Sequence, residues 1–203
     1  MWSSPQPDKP IEDWLAALLA TPGLTAIRDP AEAHRVHVDD SLRALELLGE
    51  GPIVDVGSGG GSPGIPLASA RPDLRFDLLE SQRRKCAFLG EWAARFPNAQ
   101  VVCARAEEHA RAAGRDAYGT ALARALAPPV VALEWCLPLL RPGGLAILFV
   151  GPSVQTEAIG KAASLLAGEL EPGPPGFLLV RKTGVTPTRL PRRPGVARKR
   201  PLA

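Results

Sequence analysis

The residues best suited to chemistry are an acidic side chain and the glycine-rich loop that follows it. Asp55 lies in the short apolar run 53–56, and residues 57–64 read Gly-Ser-Gly-Gly-Gly-Ser-Pro-Gly. Glycine permits positive φ angles and lets a ligand approach the main chain closely. A buried strand, such a loop and a helix, in this order, can cradle a nucleoside-type cofactor. The predicted cradle consists of Asp55, Gly57, Ser58, Gly59, Gly61 and Ser62.

Two classes of cofactor fit this loop. Residues 59–64 satisfy G-x-G-x-x-G, the fingerprint of dinucleotide-binding proteins. However, the carboxylate of Asp55 would oppose a pyrophosphate, which needs backbone N–H donors there, and would attract a sulfonium or ammonium group. The histidines, His34, His37 and His109, form no recognisable hydride-transfer site. The sequence therefore favours S-adenosylmethionine over NAD.

Later positions complete the predicted site. Glu80 ends the second predicted strand, where it can accept hydrogen bonds from both ribose hydroxyls of either cofactor. Ala106 and Glu107 follow the third strand, where the next loop can border an adenine; alternatively, Glu107 is a first-turn helix acid favoured by the helix dipole. Arg124 ends the fourth strand and is the predicted catalytic residue, because a guanidinium there can hold the cofactor carboxylate, guanine O6 or a phosphate. Its alternative role is a surface salt bridge.

Apolar periodicity predicts alternating strands and helices that position these residues. The predicted strands are residues 53–56, 75–80, 100–103, 120–124, 145–150 and 176–181. The predicted helices are residues 11–20, 31–48, 64–70, 83–96, 106–113, 130–140 and 153–167. This alternation indicates right-handed crossovers and an α/β fold with a mostly parallel sheet. The Pro/Gly cluster at 171–176 is expected to turn the last strand back as an antiparallel edge.

Length and composition indicate one domain with a sizeable core, since the chain has 203 residues of which 45% are hydrophobic. We expect an N-terminal helical segment (1–50) on a core (51–182), followed by a tail (183–203). No apolar run is long enough for a membrane span, and the N-terminus lacks a signal-peptide core, so we expect a cytoplasmic protein. Three widely spaced cysteines, Cys86, Cys103 and Cys136, predict buried reduced thiols and no metal site.

The net charge of +3 conceals a strong asymmetry. Residues 181–203 carry eight Lys or Arg and no acid, whereas residues 1–180, with the other 16 bases and all 21 acids, carry −5. A basic tail on an acidic body suggests a polyanionic partner, although a solubilising or disordered tail is the alternative. Pro191, Pro194 and Pro201 oppose helix formation and predict an extended segment. The predicted phosphate contacts are Arg189, Arg192, Arg193, Arg198, Lys199 and Arg200.

Several motifs resemble, in order, those of the GidB/RsmG family, bacterial enzymes that methylate guanosine N7 in 16S ribosomal RNA. The motifs are LTAIRDP (24–30), HVDDSL (37–42), DVGSGGGSPGIPLA (55–68), RAEE (105–108), RALA (124–127) and PTRLPRRPGVARKRPL (187–202). The resemblance implies a Rossmann-like S-adenosylmethionine-dependent methyltransferase, with a mostly parallel seven-stranded sheet and an antiparallel last strand. It implies cofactor binding by Gly57, Ser62, Ala106, Glu107 and Arg124. The expected partner is 16S ribosomal RNA or the small ribosomal subunit, bound by a monomer.

Guanine N7 has a free lone pair, so its methylation can rest on positioning and electrostatics without a general base. Residues 127–130 (Ala-Pro-Pro-Val) lack the side chains of an amine-methylating loop, and Cys136 has no activating neighbour in the sequence. Methylation of another substrate remains an alternative, as does a non-catalytic RNA-binding role, because the family's lysine before Gly151 is missing. His37 either pairs with Asp40 on a helix surface or contacts RNA.

Overall fold

The computed structural model describes residues 9–152 and 156–203. These residues form a seven-stranded sheet with the order β3-β2-β1-β4-β5-β7-β6. The strands are β1 (Ile53–Val56), β2 (Phe76–Glu80), β3 (Ala99–Cys103), β4 (Tyr118–Arg124), β5 (Leu140–Phe149), β6 (Gly168–Glu171) and β7 (Phe177–Lys182). Strands β1 to β5 pair in parallel, whereas β7 pairs antiparallel with both β5 and β6. The predicted fold class is confirmed.

Helices cover both faces of the sheet. They are α1 (Lys9–Ala20), α2 (Pro30–His34), α3 (Asp40–Leu42), α4 (Gly64–Ala70), α5 (Arg83–Ala93), α6 (Ala106–His109), α7 (Pro129–Cys136), α8 (Thr156–Leu165) and α9 (Val196–Lys199). None of them, within the described residues, is long and apolar enough to cross a membrane. The predicted helices at 106–113 and 130–140 are shorter in the structure. The second ends in a 3-10 turn at Leu137–Leu139, since Pro138 cannot donate a helical hydrogen bond.

The sheet has two buried faces because successive strand residues point in opposite directions. In β1, Val54 and Val56 join the cluster that includes Leu133 of α7, while Ile53 joins the cluster that includes Leu67 of α4. All four residues of β1 are buried, as expected for a central parallel strand. The reversal of strand order between β1 and β4 opens a crevice at their carboxyl ends, where α/β proteins bind ligands.

The single helix predicted over residues 31–48 is interrupted in the structure. Asp29 caps α2 as expected, accepting a hydrogen bond from the Glu32 N–H. A π-helical turn, Arg35–Asp39, then separates α2 from α3, and a 3-10 turn follows at Leu45–Leu47. Apolar periodicity could not reveal the π-helical turn, in which the Val36 and His37 carbonyls accept hydrogen bonds from the distant side chains of Arg124 and Ser62.

The carboxyl-terminal strands differ from the prediction in one respect. The antiparallel strand β7 lies inside the sheet between β5 and β6, and the edge is formed by β6, which the sequence pattern did not predict. Strand β6 pairs with β7 from Gly168↔Lys182 to Glu171↔Leu179. Its four residues Gly-Glu-Leu-Glu carry little β-propensity, so this edge strand is stabilised by its partner strand rather than by local sequence.

The tail is not the extended segment that its prolines predict. Residues 196–199 form helix α9, and Leu190 and Ala197 are buried against the cluster of α7 and α8. Arg111 and Arg115 donate to the carbonyl oxygens of Pro191 and Leu190, over 2.9 and 2.8 Å. Side-chain contacts with the body thus override the local preference of the tail.

The expectation of three reduced thiols was also wrong. Cys86 in the first turn of α5 and Cys103 at the end of β3 form a disulfide, with their Cα atoms 5.8 Å apart. The two residues are 17 apart in sequence, and they meet because β3 returns alongside β2, at whose end α5 begins. Cys136 is a free buried thiol, and burial raises its pKa, so it is a poor nucleophile.

Candidate active site

The glycine loop between β1 and α4 has the backbone that its composition predicts. Gly57, Gly59 and Gly61 have φ angles of +73°, +59° and +105°, which side chains rarely adopt. A Cβ on Gly57 would lie 2.3 Å from Cδ1 of Leu126, so any other residue would have to displace this side chain as well as adopt an unfavourable φ. The loop is fixed to the sheet because the N–H groups of Gly57 and Ser58 donate to the Leu79 carbonyl over 2.7 and 3.1 Å.

Asp55 lies beneath this loop rather than at its surface. Its side chain is buried, and Oδ2 accepts a hydrogen bond of 3.1 Å from the Gly64 N–H at the start of α4. Burial raises the pKa of Asp55 to about 6, although the Gly64 hydrogen bond lowers it. The carboxylate therefore joins the loop to the first turn of α4.

Glu80 ends β2 at the opposite wall of the crevice. Its Oε1 accepts from the N–H groups of Ser81 and Gln82 over 2.6 and 2.8 Å, and its Oε2 accepts from the Gly59 N–H over 3.1 Å. An ionised carboxylate offers about four acceptor sites. Glu80 is thus oriented by three backbone donors, and Oε2 keeps capacity for a hydroxyl donor.

A cavity of about 280 Å³ lies at the carboxyl ends of β1, β2 and β3. Ala106 and Glu107 line it, as predicted for an adenine border, and Glu107 is at the same time in the first turn of α6. The other lining residues are Val56, Gly57, Leu79, Ser81, Gln82, Ala104, Arg105, Leu126, Trp135, Gly195 and Arg198. Apolar side chains such as Val56, Leu79 and Leu126 in the lining, the adjacent glycine loop and the nearby Glu80 carboxylate suit the adenosine part of S-adenosylmethionine.

Arg124 ends β4 and binds the N-terminal segment and the loop together. Its Nη1 donates to the Val36 carbonyl over 2.6 Å and to Ser41 Oγ over 3.3 Å. Its Nη2 donates to Nδ1 of His37 over 3.1 Å and to Ser62 Oγ. The guanidinium is not a surface salt bridge, which was its alternative interpretation. It fixes the π-helical turn against the loop.

His37 is enclosed by protein groups on both ring nitrogens. Nδ1 faces Arg124, and Nε2 lies 3.0 Å from Thr25 Oγ1. Burial, together with the nearby Arg124 charge, lowers the pKa of His37 to about 4, so the ring is neutral at pH 7. Asp40, the expected helix-face partner of His37, instead pairs with Arg43 at 3.6 Å.

The His37 carbonyl adds a second connection, because it accepts from Ser41 Oγ and Ser62 Oγ over 2.8 Å each. Sequence reasoning did not single out Thr25 or Ser41 as site residues. Their only signal was that both stand inside motifs of the family resemblance.

A second cavity, of about 390 Å³, opens at the carboxyl ends of β4 and β5. It is lined by Ala123, Ala125, Leu126, Ala127, Pro128, Pro129, Val130, Ala132, Leu148, Phe149, Val150, Gly151, Ala158 and Ile159. None of these lining residues carries an acid, a base or a thiol. Ala125 has a φ of +50°, a strained conformation typical of functional loops. Leu126 lines both cavities and is their common wall. No sequence pattern indicated this role.

The predicted RNA contacts fall into two groups. Arg189, Arg193, Lys199 and Arg200 are exposed. Arg192, in contrast, forms an ion pair with the buried Glu134, with Nε 2.7 Å from Oε1. Arg198 is exposed, but its guanidinium lies over the Trp135 ring, 5.3 Å from the centroid.

Within the described residues, no cluster of three or more His, Cys, Asp or Glu could hold a metal ion.

Sheet order, glycine loop and strand-end carboxylate together define a Rossmann-like, S-adenosylmethionine-dependent methyltransferase. Solved structures share this fold. A methyltransferase from Geobacter sulfurreducens has a TM-score of 0.58 and 14% identity over 89% of this chain and 91% of its own. The T. thermophilus 16S rRNA N2 G1207 methyltransferase (RsmC), in complex with AdoMet and guanosine, has a TM-score of 0.57 and 24% identity over 84% of this chain and 43% of its own.

The sequence comparisons identify the family. The sequence model of GidB, rRNA small subunit methyltransferase G, matches residues 12–172. A "Ribosomal RNA small subunit methyltransferase G" of Synechococcus sp. (strain JA-3-3Ab) is 38% identical, over 97% of this chain and 87% of the relative. The protein of the same name from Pelotomaculum thermopropionicum is 39% identical, over 88% and 82%. The chain belongs to the GidB family, which confirms the resemblance.

Proposed function

We propose that this protein transfers a methyl group from S-adenosylmethionine to N7 of a guanine in 16S ribosomal RNA. The observation that carries the proposal is the pair of cavities that share Leu126 as a wall. One is lined by Gly57 and Glu107 and lies at the end of β2, where Glu80 stands, and the other is apolar and opens beside it. A methyl donor in the first cavity faces an acceptor in the second.

The lining of the second cavity supports N7 as the acceptor. Amine or carbon acceptors need a general base or a nucleophile during methylation, and no residue of this lining supplies either. N7 of guanine needs neither, since its lone pair attacks without deprotonation. Water exclusion and positioning are then the main contributions of the protein.

Each site residue has a proposed role in this arrangement. Glu80 accepts from the ribose hydroxyls, and the α6 start at Ala106 and Glu107 borders the adenine. Bound S-adenosylmethionine supplies the electrophilic methyl group on its sulfonium. Gly57, Ser58, Gly59, Gly61 and Ser62 form the main-chain cradle, and buried Asp55 supports it. Arg124 holds Ser62 and the N-terminal segment in register and offers its positive charge to the substrate side.

The proposed partner is 16S ribosomal RNA, alone or in the small subunit, bound by a monomeric cytoplasmic protein. The exposed cations Arg189, Arg193, Lys199 and Arg200 are the proposed phosphate contacts. Such contacts give affinity with little sequence information. Selection of one guanosine must then come from RNA shape and from the apolar cavity.

Methyl transfer with labelled S-adenosylmethionine tests the proposal directly. Purified protein is incubated with 16S RNA, with small subunits, and with RNA in which guanine N7 is replaced by carbon. Label on unsubstituted RNA, recovered as N7-methylguanosine and lost with the carbon analogue, is the expected result. Label on another atom would refute the N7 assignment. Cofactor binding without transfer to either substrate would favour the non-catalytic alternative.

A further inference from the structure

The C-terminal segment, residues 187–203, reaches the cofactor cavity. Gly195 and Arg198 line the same cavity as Gly57 and Glu107. We propose that Gly195 and Arg198 are cofactor-site residues that close the adenosine end of the cavity and set the affinity for S-adenosylmethionine. This inference rests on the proposed function, and it gives part of the basic tail a role that does not depend on RNA.

An ion pair fixes the segment just before it meets the cavity. Both Nε and the backbone N–H of Arg192 donate to Oε1 of Glu134, over 2.7 and 3.3 Å, and Nη2 donates to Oε2. Glu134 is 1% exposed, so its charge requires this partner. Buried Leu190 and Ala197 flank the ion pair on either side along the chain. The path of residues 190–197 is therefore determined by the body of the protein.

Gly195 contacts the residue that borders the adenine. Its N–H donates to Oε1 of Glu107 over 3.2 Å, and its φ of +81° is one that favours glycine. No described hydrogen bond engages Oε2 of Glu107, which leaves that oxygen as an acceptor for an adenine amino group. The tail thus orients the carboxylate that we assign to adenine recognition.

Arg198 extends the cavity wall. Its guanidinium lies over the Trp135 ring, and its Nη2 approaches the Leu126 carbonyl at 3.4 Å. Trp135 and Leu126 are lining residues of the same cavity. A guanidinium over an indole ring is a favourable arrangement that a lysine would reproduce only in part. Arg198 consequently screens this end of the cavity from solvent.

Calorimetric titration without RNA separates this role from RNA binding. The probes are S-adenosylmethionine and S-adenosylhomocysteine, and the variants are Arg198→Ala and Arg198→Lys, with Arg200→Ala as the matched control from the same exposed segment. Arg198→Ala removes the cation–π contact with Trp135 and so opens this wall of the cavity. We expect it to bind S-adenosylmethionine roughly 3- to 10-fold more weakly than wild type. We expect an intermediate value for Arg198→Lys and an unchanged one for Arg200→Ala.

A second variant tests the backbone contact. Gly195→Ala meets no atom within 4 Å of its new Cβ, so only its φ of +81° is unfavourable. We expect weaker cofactor binding together with a thermal unfolding midpoint lowered by a few degrees, because the strained φ also costs native stability. Wild-type affinity in both Arg198→Ala and Gly195→Ala would overturn the inference while leaving the proposed function intact. Failure of the wild-type protein to bind either probe would instead contradict the proposed function.

Discussion

Nη2 of Arg124 lies 3.1 Å from Nδ1 of His37, which joins the end of β4 to the N-terminal segment. The guanidinium can only donate, so Nδ1 must be the unprotonated acceptor. Nε2 then carries the hydrogen and donates to Thr25 Oγ1. The lowered pKa of His37 agrees with this arrangement, because protonation would place two cations in contact. His37 is thereby a positioning residue for Arg124.

Arg124→Ala is expected to lower the rate of methyl transfer by roughly 100-fold or more, since small misplacements of site groups have effects of that size. The variant simultaneously removes the hydrogen bonds from Arg124 to Val36, His37, Ser41 and Ser62. Single-turnover methylation of ribosomal RNA measures the effect, and circular dichroism checks the fold. Arg71→Ala, in a surface pair with Asp73, is the control. Normal turnover of Arg124→Ala would remove this residue from the active site.

Replacing His37 by a side chain that can still accept a hydrogen bond from Arg124 should reduce activity less than replacing it by an apolar ring. We expect His37→Phe to reduce kcat by roughly tenfold, through loss of a charge-assisted hydrogen bond of about 1.5 kcal/mol, and His37→Asn to retain more of it. A change confined to KM for RNA would indicate direct RNA contact instead. Since the pKa of His37 is about 4, its titration should be absent from the kcat profile between pH 6 and 8.

Gly57→Ala combines an unfavourable φ with a collision against Leu126 Cδ1. The backbone strain alone amounts to about 1–3 kcal/mol. We expect at least tenfold weaker binding of S-adenosylmethionine, measured by calorimetry, and only partial recovery when Leu126→Ala is added, because the double variant relieves the collision but not the φ. Gly90→Ala in α5, where the new Cβ has open space, is the control. Equal cofactor affinity in Gly57→Ala and Gly90→Ala would contradict the assignment of Gly57 to the cradle.

The parts of the site that local patterns specify were predictable from the sequence. The strand–loop–helix around Gly57 has the expected boundaries within a residue, and Glu80 and Arg124 stand at the ends of their strands. In a parallel sheet these carboxyl ends meet at one edge, so strand prediction alone brings the residues together.

Contacts between distant segments were not predictable in the same way. The π-helical turn at His37, the ion pair of Arg192 with Glu134 and the disulfide of Cys86 with Cys103 each depend on a partner elsewhere in the chain. The prolines and charges of the tail predicted an extended segment. That prediction failed because no sequence pattern indicates that the buried Glu134 binds Arg192. The role of Leu126 as a wall of two cavities also requires the three-dimensional structure.

Asp55→Asn should alter the pH dependence of stability. The native pKa of Asp55 is about 6, above the ordinary value of 3.8. Below pH 4 the carboxyl is protonated in both states, so its burial has no electrostatic cost. From pH 4 to 6 the unfolded state ionises first, and native stability falls by about 3 kcal/mol, a cost that persists above pH 6.

Asparagine carries no charge and its oxygen can still accept from the Gly64 N–H. The free energy of unfolding of Asp55→Asn, relative to wild type, should therefore rise between pH 4 and 6 and stay level above. Urea unfolding at several pH values measures it. The lowered pKa of His37 makes the free energy of unfolding fall as the pH decreases from 6.5 toward 4. This effect is the same in wild type and in Asp55→Asn, so it cancels in the difference between them. A difference that does not change with pH would show that Asp55 is not buried as a carboxylate.

The exposed tail cations should determine the salt dependence of RNA binding. Deleting residues 189–203 would also remove buried Leu190 and Ala197, so point variants are the cleaner test. In the triple variant Arg193→Ala/Lys199→Ala/Arg200→Ala, the plot of the logarithm of the RNA association constant against log salt should become less steep by about 2. Each phosphate contact on single-stranded RNA contributes about 0.7 to this slope. Filter binding across a salt series measures the slope, and unchanged affinity for S-adenosylmethionine confirms that the cofactor wall is intact. An unchanged slope would place the RNA on another surface of the protein.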